Sequence, residues 1–147
     1  MSEHRVTVAW SWSDHESRQN TYSRNHEWRF DNGTVVPASA AEKYLGDPKC
    51  VDPEEALVAA LSGCHMLVFL AIAAKKEITV DTYTDDAVGY LEKNEDGKLA
   101  VTRIVLHPKI TFGGENKPDE AQLADMHAHA HAACLIANSL RASVEVA

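Results

Sequence analysis

The chain has no surplus of basic residues, no internal repeat, no low-complexity tract and too few cysteines for a disulfide framework. Lys and Arg number 14 against 22 Asp and Glu, a formal net charge of −8, which argues against nucleic acid and anionic membrane as partners. Its three cysteines, Cys50, Cys64 and Cys134, are an odd number, unsuited to a stapled scaffold. Residues 1–10 alternate polar and apolar side chains without the long apolar run of an export leader. The expected compartment is therefore the cytoplasm. With 147 residues and no visible linker, one domain spanning 1–147 is expected.

The one segment near membrane-spanning length is 56–74. It carries Ser62, Gly63, Cys64 and His65 at its centre and is bounded by Glu54-Glu55 and Lys75-Lys76. Alternating segments dominate the rest of the chain, so a central helix buried inside a soluble fold is expected. Residues 4–12 alternate as a strand. Residues 21–30 alternate again and place Tyr22, Arg24, His26, Trp28 and Phe30 on one face. Asp31-Asn32-Gly33 is a hairpin turn that returns the chain as a short strand over 34–38. After a loop over 39–52, Asp52-Pro53-Glu54-Glu55 combines a capping residue, a first-turn proline and two acids at the positive dipole end. Residues 78–91 and 99–112 read as two long strands joined at Asn94-Glu95-Asp96-Gly97. Pro118-Asp119-Glu120 opens a second helix expected to run to about Ser139, and 141–146 closes as a strand. The order is β-β-β-α-β-β-α-β, an α+β fold of antiparallel sheets carrying helices.

Cys64 has small neighbours, Ser62 and Gly63, and an ionisable one, His65, in an otherwise apolar helix. A cysteine there is either core or functional. Cys134 lies on the second helix's apolar stripe with Leu123, Met126, Ala130 and Ala137. If the two helices pack face to face, the two thiols come within disulfide distance. Arg24 sits among aromatics by period-2 parity, either exposed at an edge or requiring an anionic partner. Arg29 has the opposite parity and faces water. Glu54 complements the helix dipole. His127, His131 and Cys134 fall at i, i+4 and i+7, which would present three metal ligands on one face, with His65 as a fourth.

Asp52-Pro53-Glu54-Glu55-Ala56-Leu57 followed by Ala59-Ala60-Leu61-Ser62-Gly63-Cys64 resembles the OsmC/Ohr family of osmotically inducible and organic-hydroperoxide-resistance proteins. That family has an Asn-Pro-Glu-Glu-Leu-like helix start and a cysteine ten residues after the first Glu, the spacing of Glu54 and Cys64. Its second cysteine lies in a helix before the last strand, where Cys134 stands. Tyr22-Ser23-Arg24-Asn25-His26-Glu27-Trp28, with Ser62-Gly63-Cys64-His65-Met66-Leu67, is similar to an OsmC-like branch. The chain departs from the family in three places. Asp52 replaces the usual Asn, and His65 stands where a bulky apolar residue is common. Leu135 follows Cys134 where the organic-hydroperoxide-resistance members carry Pro.

The resemblance implies an intertwined homodimer and a thiol peroxidase with no cofactor and no metal. Cys64 would attack a hydroperoxide and condense as a sulfenic acid with Cys134, and a lipoyl-type dithiol would restore both. Arg24 would favour the Cys64 thiolate, and Glu54 would hold Arg24. Ten residues of helix span about 15 Å. Glu54 therefore reaches the Cys64 site only through a bent helix entry or from another chain. The alternative is a redox-inactive small-ligand or metal-binding protein that uses the His127/His131/Cys134 face.

Overall fold

In a computed structural model, residues 1–12 and 22–147 are described. The chain divides into two compact units, Met1–Ala56 and Leu57–Ala147.

The first unit is built on an antiparallel sheet in the order β1-β2-β3, with β1 at Val6–Ala9, β2 at His26–Phe30 and β3 at Val35–Ala38. The expected hairpin turn is present: Gly33 has φ 87° and donates its N–H to the Phe30 carbonyl, and Asn32 Oδ1 accepts from Thr34 N–H at 2.9 Å. Register pairs Val6 with Phe30, Val8 with Trp28 and Trp28 with Val36, so one face is mostly apolar, with His26 at its end. Arg29 is exposed, as expected, and pairs with Glu27 at 2.8 Å. Both outer strands are shorter than the alternation suggests. β1 offers partners only for Glu27–Phe30 and β3 only for His26–Arg29, so β2 begins at His26 and Arg24 precedes it. Thr21, where the longer strand was expected to start, lies outside the described residues.

Helix α1, Pro53–Lys75, starts where its capping signals place it. Asp52 Oδ1 accepts from Glu55 N–H at 2.8 Å and Glu55 Oε2 accepts from Asp52 N–H at 3.2 Å, a reciprocal cap. By length and composition alone, α1 is long and apolar enough to cross a membrane. It is not enclosed on all sides as expected: its buried residues are Leu61, His65, Phe69 and Ala73, a single stripe at four-residue spacing. Leu67, off that stripe, is 64% exposed.

In the second unit the two expected long strands each break once. They become β4 (Thr79–Asp85), β5 (Val88–Lys93), β6 (Leu99–Leu106) and β7 (Pro108–Gly113). β4 pairs with β7, and β5 with β6, so the two form one long hairpin bent at Asp86-Ala87 and His107. Acids and a proline are poor strand formers there, and Asp85 Oδ1 pins the bend by accepting from His107 N–H at 2.6 Å. Helix α2, Glu120–Ala133, opens with an Asp119/Gln122 capping box. The closing strand β8, Ser143–Val146, pairs parallel to β6, whereas antiparallel pairing was expected. The crossover through β7 and α2 returns the chain in the same direction as β6. Two core clusters result. Phe69, Ala73 and Ile78 meet Met126 and Ala130, and Leu61, Ile104 and Leu106 meet Cys134.

Candidate functional site

Cys64 and Cys134 are brought together inside the second unit. Cys134 is fully buried in the cluster of Leu61, Ile104 and Leu106, and half-buried Cys64 packs against the same cluster. All three cysteines are free thiols. α2 does not continue to Ser139. It stops at Ala133, and Cys134 takes an extended backbone with φ −70° and ψ 112°. The chain then makes a tight turn in which Asn138 N–H donates to the Cys134 carbonyl at 3.0 Å, and Ala137 N–H donates to the Cys134 sulfur at 3.4 Å. Burial pushes the Cys64 thiol up. The neighbouring Cys134 thiol and the backbone of Ile136 and Leu135 more than offset that, and its pKa falls below the ordinary thiol value. Burial and the same thiol–thiol contact push Cys134 up. The two cysteines are therefore unlike: Cys64 gives up its proton more readily than an ordinary cysteine, and Cys134 less readily.

His65, one residue on, serves a different face. It is 1% exposed and its Nε2 shares a 3.0 Å hydrogen bond with His127 Nδ1 from α2, the rings stacked at 5.4 Å between centroids. Phe69 stacks on His127 in turn, at 4.6 Å. His65 Nδ1 is buried with no hydrogen-bond partner among the described residues. A bare lone pair costs less there than an orphaned N–H, so His65 donates through Nε2 and His127 accepts. Burial pushes His65 down to about 4, with His127 and His131 acting the same way and Asp85 opposing. Ser62 Oγ donates to the Asp85 carboxylate, which ties this stretch of α1 to the hairpin bend.

These contacts overturn the metal set of His127, His131 and Cys134. Because α2 ends at Ala133, Cys134 leaves the helical face and sits in the cluster against which Cys64 packs. His127 is taken by His65, and His131 is exposed. Among the described residues no group of three or more His, Cys, Asp or Glu can hold a metal ion.

Arg24 and Glu54 come together in the first unit. Both line a concavity of about 300 Å³, along with Trp10, Tyr22 and Tyr44. The Arg24 guanidinium lies 4.0 Å from the Tyr22 ring centroid and donates to the Tyr22 carbonyl, so the expected aromatic setting holds although Arg24 is not on the strand. Glu54 and Cys64 stand ten residues apart on the continuous helix α1, a separation of about 15 Å.

Residues 46–147 match the model of the OsmC family, described as OsmC-like protein. The chain belongs to the OsmC family. An OsmC-like protein of unknown function from Vibrio cholerae is 50% identical with a TM-score of 0.94, covering 100% of this chain and 99% of that one. The fold recurs in an organic hydroperoxide resistance protein from Elizabethkingia anophelis, at 19% identity and TM-score 0.72 over 99% of this chain and 93% of that one. It recurs again in an OsmC-like protein from Mycoplasma pneumoniae, at 18% identity and TM-score 0.75 over 99% and 95%. No curated protein matches the chain. The helix start at Asp52, Cys64, both members of the His pair and Cys134 all fall inside the matched segment, whereas Arg24 precedes it.

The sequence pointed to Cys64 and Cys134 but missed the Ala137 N–H on the Cys134 sulfur and the His65–His127 pair. An imidazole on an otherwise apolar helix face was a usable signal, because a buried polar group needs a partner. It was assigned to a metal instead of to a second histidine.

Proposed function

We propose that the chain is a thiol-dependent peroxidase that reduces organic hydroperoxides in the cytoplasm. The observation that carries this reading is the contact between two free, inequivalent thiols, with Cys64 lowered and Cys134 raised. The Cys64 thiolate attacks the terminal peroxide oxygen. The O–O bond breaks, and the leaving alkoxide takes a proton and departs as the alcohol, leaving Cys64 as a sulfenic acid. Attack by the Cys134 sulfur expels water and forms the Cys64–Cys134 disulfide. A small dithiol of lipoyl type then reduces it by two thiol–disulfide exchanges and is itself oxidised.

The working form is a homodimer. α1 leaves apolar side chains such as Leu67 uncovered, and the first unit's sheet exposes Val6 and Val8 at 52% and 63%, surfaces suited to a second copy. In that assembly the Arg24–Glu54 concavity of one subunit serves the thiols of the other. Arg24 supplies positive charge toward the Cys64 sulfur and the peroxide, and Glu54 orients Arg24.

The test is consumption of cumene hydroperoxide with dihydrolipoamide as reductant, together with peptide mapping after one equivalent of peroxide. Turnover that disappears in Cys64→Ser, with a Cys64–Cys134 link in the oxidised protein, is the expected result. Wild-type turnover in Cys64→Ser, or a link through Cys50 instead, overturns the assignment.

A further inference from the structure

The segment that carries Arg24 lies just ahead of β2, beyond the last rung of the β1 ladder. Backbone groups there need partners that the sheet does not supply, and side chains supply them. Three consecutive carbonyls each accept from a side chain. Tyr22 accepts from the Arg24 guanidinium, Ser23 from the Trp10 indole N–H at 2.8 Å, and Arg24 from His26 Nδ1 at 2.8 Å. The Asn25 N–H donates to Ser23 Oγ at 3.2 Å. The His26 ring is engaged on both sides, because Trp28 Nε1–H donates to its Nε2 at 3.0 Å. An indole N–H only donates and a carbonyl only accepts. His26 must therefore accept through Nε2 and donate through Nδ1, and the neutral tautomer protonated at Nδ1 is the one form that does both.

We propose that His26 is a positioning residue: locked in its Nδ1–H tautomer by Trp28, it clasps the Arg24 carbonyl and fixes where the guanidinium stands at the concavity. The purpose of the clasp rests on the peroxidase reading given to Arg24; the clasp itself does not. Trp28 pairs with both Val8 and Val36 inside the sheet, and it holds His26, which holds Arg24. The order of the sheet is thus carried past its own end to a residue that no strand reaches. Arg24 is held at two points, its backbone by His26 and its guanidinium by the Tyr22 carbonyl and ring, 4.0 Å from the ring centroid. His26, half-buried, lines the same concavity as Arg24 and Glu54. A charge at the end of a long side chain magnifies any change in its own backbone, and a misplacement of about 1 Å is enough to weaken catalysis sharply.

The test begins with the ring itself. Long-range nitrogen–proton correlation spectra of the full chain should show His26 protonated on Nδ1 alone. Trp28→Phe removes the indole donor, keeps an aromatic ring, and should return a mixture of both tautomers. The Arg24 Nε–H signal reads the consequence. It should be sharp in wild type, exchange-broadened in His26→Leu, and sharp again in His26→Asn, whose amide nitrogen takes the place of Nδ1. A His26 that merely fills space predicts a signal kept by Leu as well as by Asn. A wild-type ring protonated at Nε2, an Arg24 signal unchanged in His26→Leu, or one not restored in His26→Asn overturns the proposal. Should His26→Leu not fold, His26→Gln takes its part, because its amide sits at the place of Nε2 and misses the carbonyl. For the reaction, His26→Leu should lower kcat/KM for cumene hydroperoxide about fivefold, the equivalent of one hydrogen bond, and by less than Arg24→Ala does. A slow Arg24→Ala beside a wild-type rate in His26→Leu overturns the positioning role. A wild-type rate in Arg24→Ala sinks the reading of Arg24 instead, and the spectra then decide on the clasp alone.

Discussion

Acid should destabilise this protein through one residue more than through any other, and that residue is His65. Its imidazole is 1% exposed and hydrogen-bonded through Nε2, with Nδ1 facing no partner among the described residues. Accepting a second proton would bury both a charge and a donor with no acceptor, so its pKa falls from 6.5 to about 4. The sign follows from linkage. Between those values the unfolded chain binds the proton and the folded chain refuses it. Stability is complete above about pH 6.5 and is lost progressively as the pH falls toward 4, with no further loss from this group below that. At about 1.4 kcal/mol per pH unit, the displacement amounts to about 3 kcal/mol, a large share of a stability of about 5–15 kcal/mol. Carboxylates titrate over part of the same range, so a difference must be measured: urea unfolding of wild type and His65→Leu, each at pH 7 and pH 4. The loss between the two pH values should be about 3 kcal/mol smaller in His65→Leu. Burial lowers His127 as well; it stays in the variant and leaves a residual dependence. Equal pH dependence in the two proteins would refute the reasoning, because His65 would then titrate alike in both states.

The remaining predictions concern other parts of the chain. Cys134→Ser should still react once with hydroperoxide but accumulate sulfenic or over-oxidised Cys64, detected by mass spectrometry. Tyr83, pushed up to about 12 by burial and by Asp85, has a buried hydroxyl with no partner among the described residues. Tyr83→Phe should therefore leave stability unchanged or raise it by about 1 kcal/mol in urea unfolding. At Gly46 an added Cβ would lie 1.6 Å from the Ala40 carbonyl oxygen, a backbone atom that cannot swing aside. Gly46→Ala should cost about 3 kcal/mol or more by the same measurement. Sedimentation at micromolar concentration should give about twice the 16.1 kDa chain mass.

Much of the fold was legible because its boundaries are set locally. Asp52-Pro53 caps α1, Asp119 caps α2, and the glycines at 33 and 97 turn two hairpins with φ of 87° and 73°. These are side-chain and backbone preferences that act within four residues. The misread boundaries depend on partners far away in sequence. β2 is only as long as the strand beside it allows. The bend at Asp86-Ala87 and His107 closes through a bond from Asp85 to a residue 22 positions later. α2 was carried past Ala133 because Ala-His-Ala-His-Ala-Ala contains no breaker, and the helical period continues through Cys134 and Ala137.

The same cause separates what was readable in the site from what was not. Although each could also be core, both cysteines could be picked out through the family resemblance, by the ten-residue spacing from Glu54 to Cys64 and the place of Cys134 before the last strand. Their unlike behaviour could not, because it comes from the premature end of α2. Had the helix run on to Ser139, the amide of Ala137 would have been bonded to the carbonyl four residues back, and not to the Cys134 sulfur as it is. Ending it at Ala133 takes Cys134 off the helical face and into the cluster against which Cys64 packs. One boundary thus removes the three-ligand metal face and brings both thiols to one cluster.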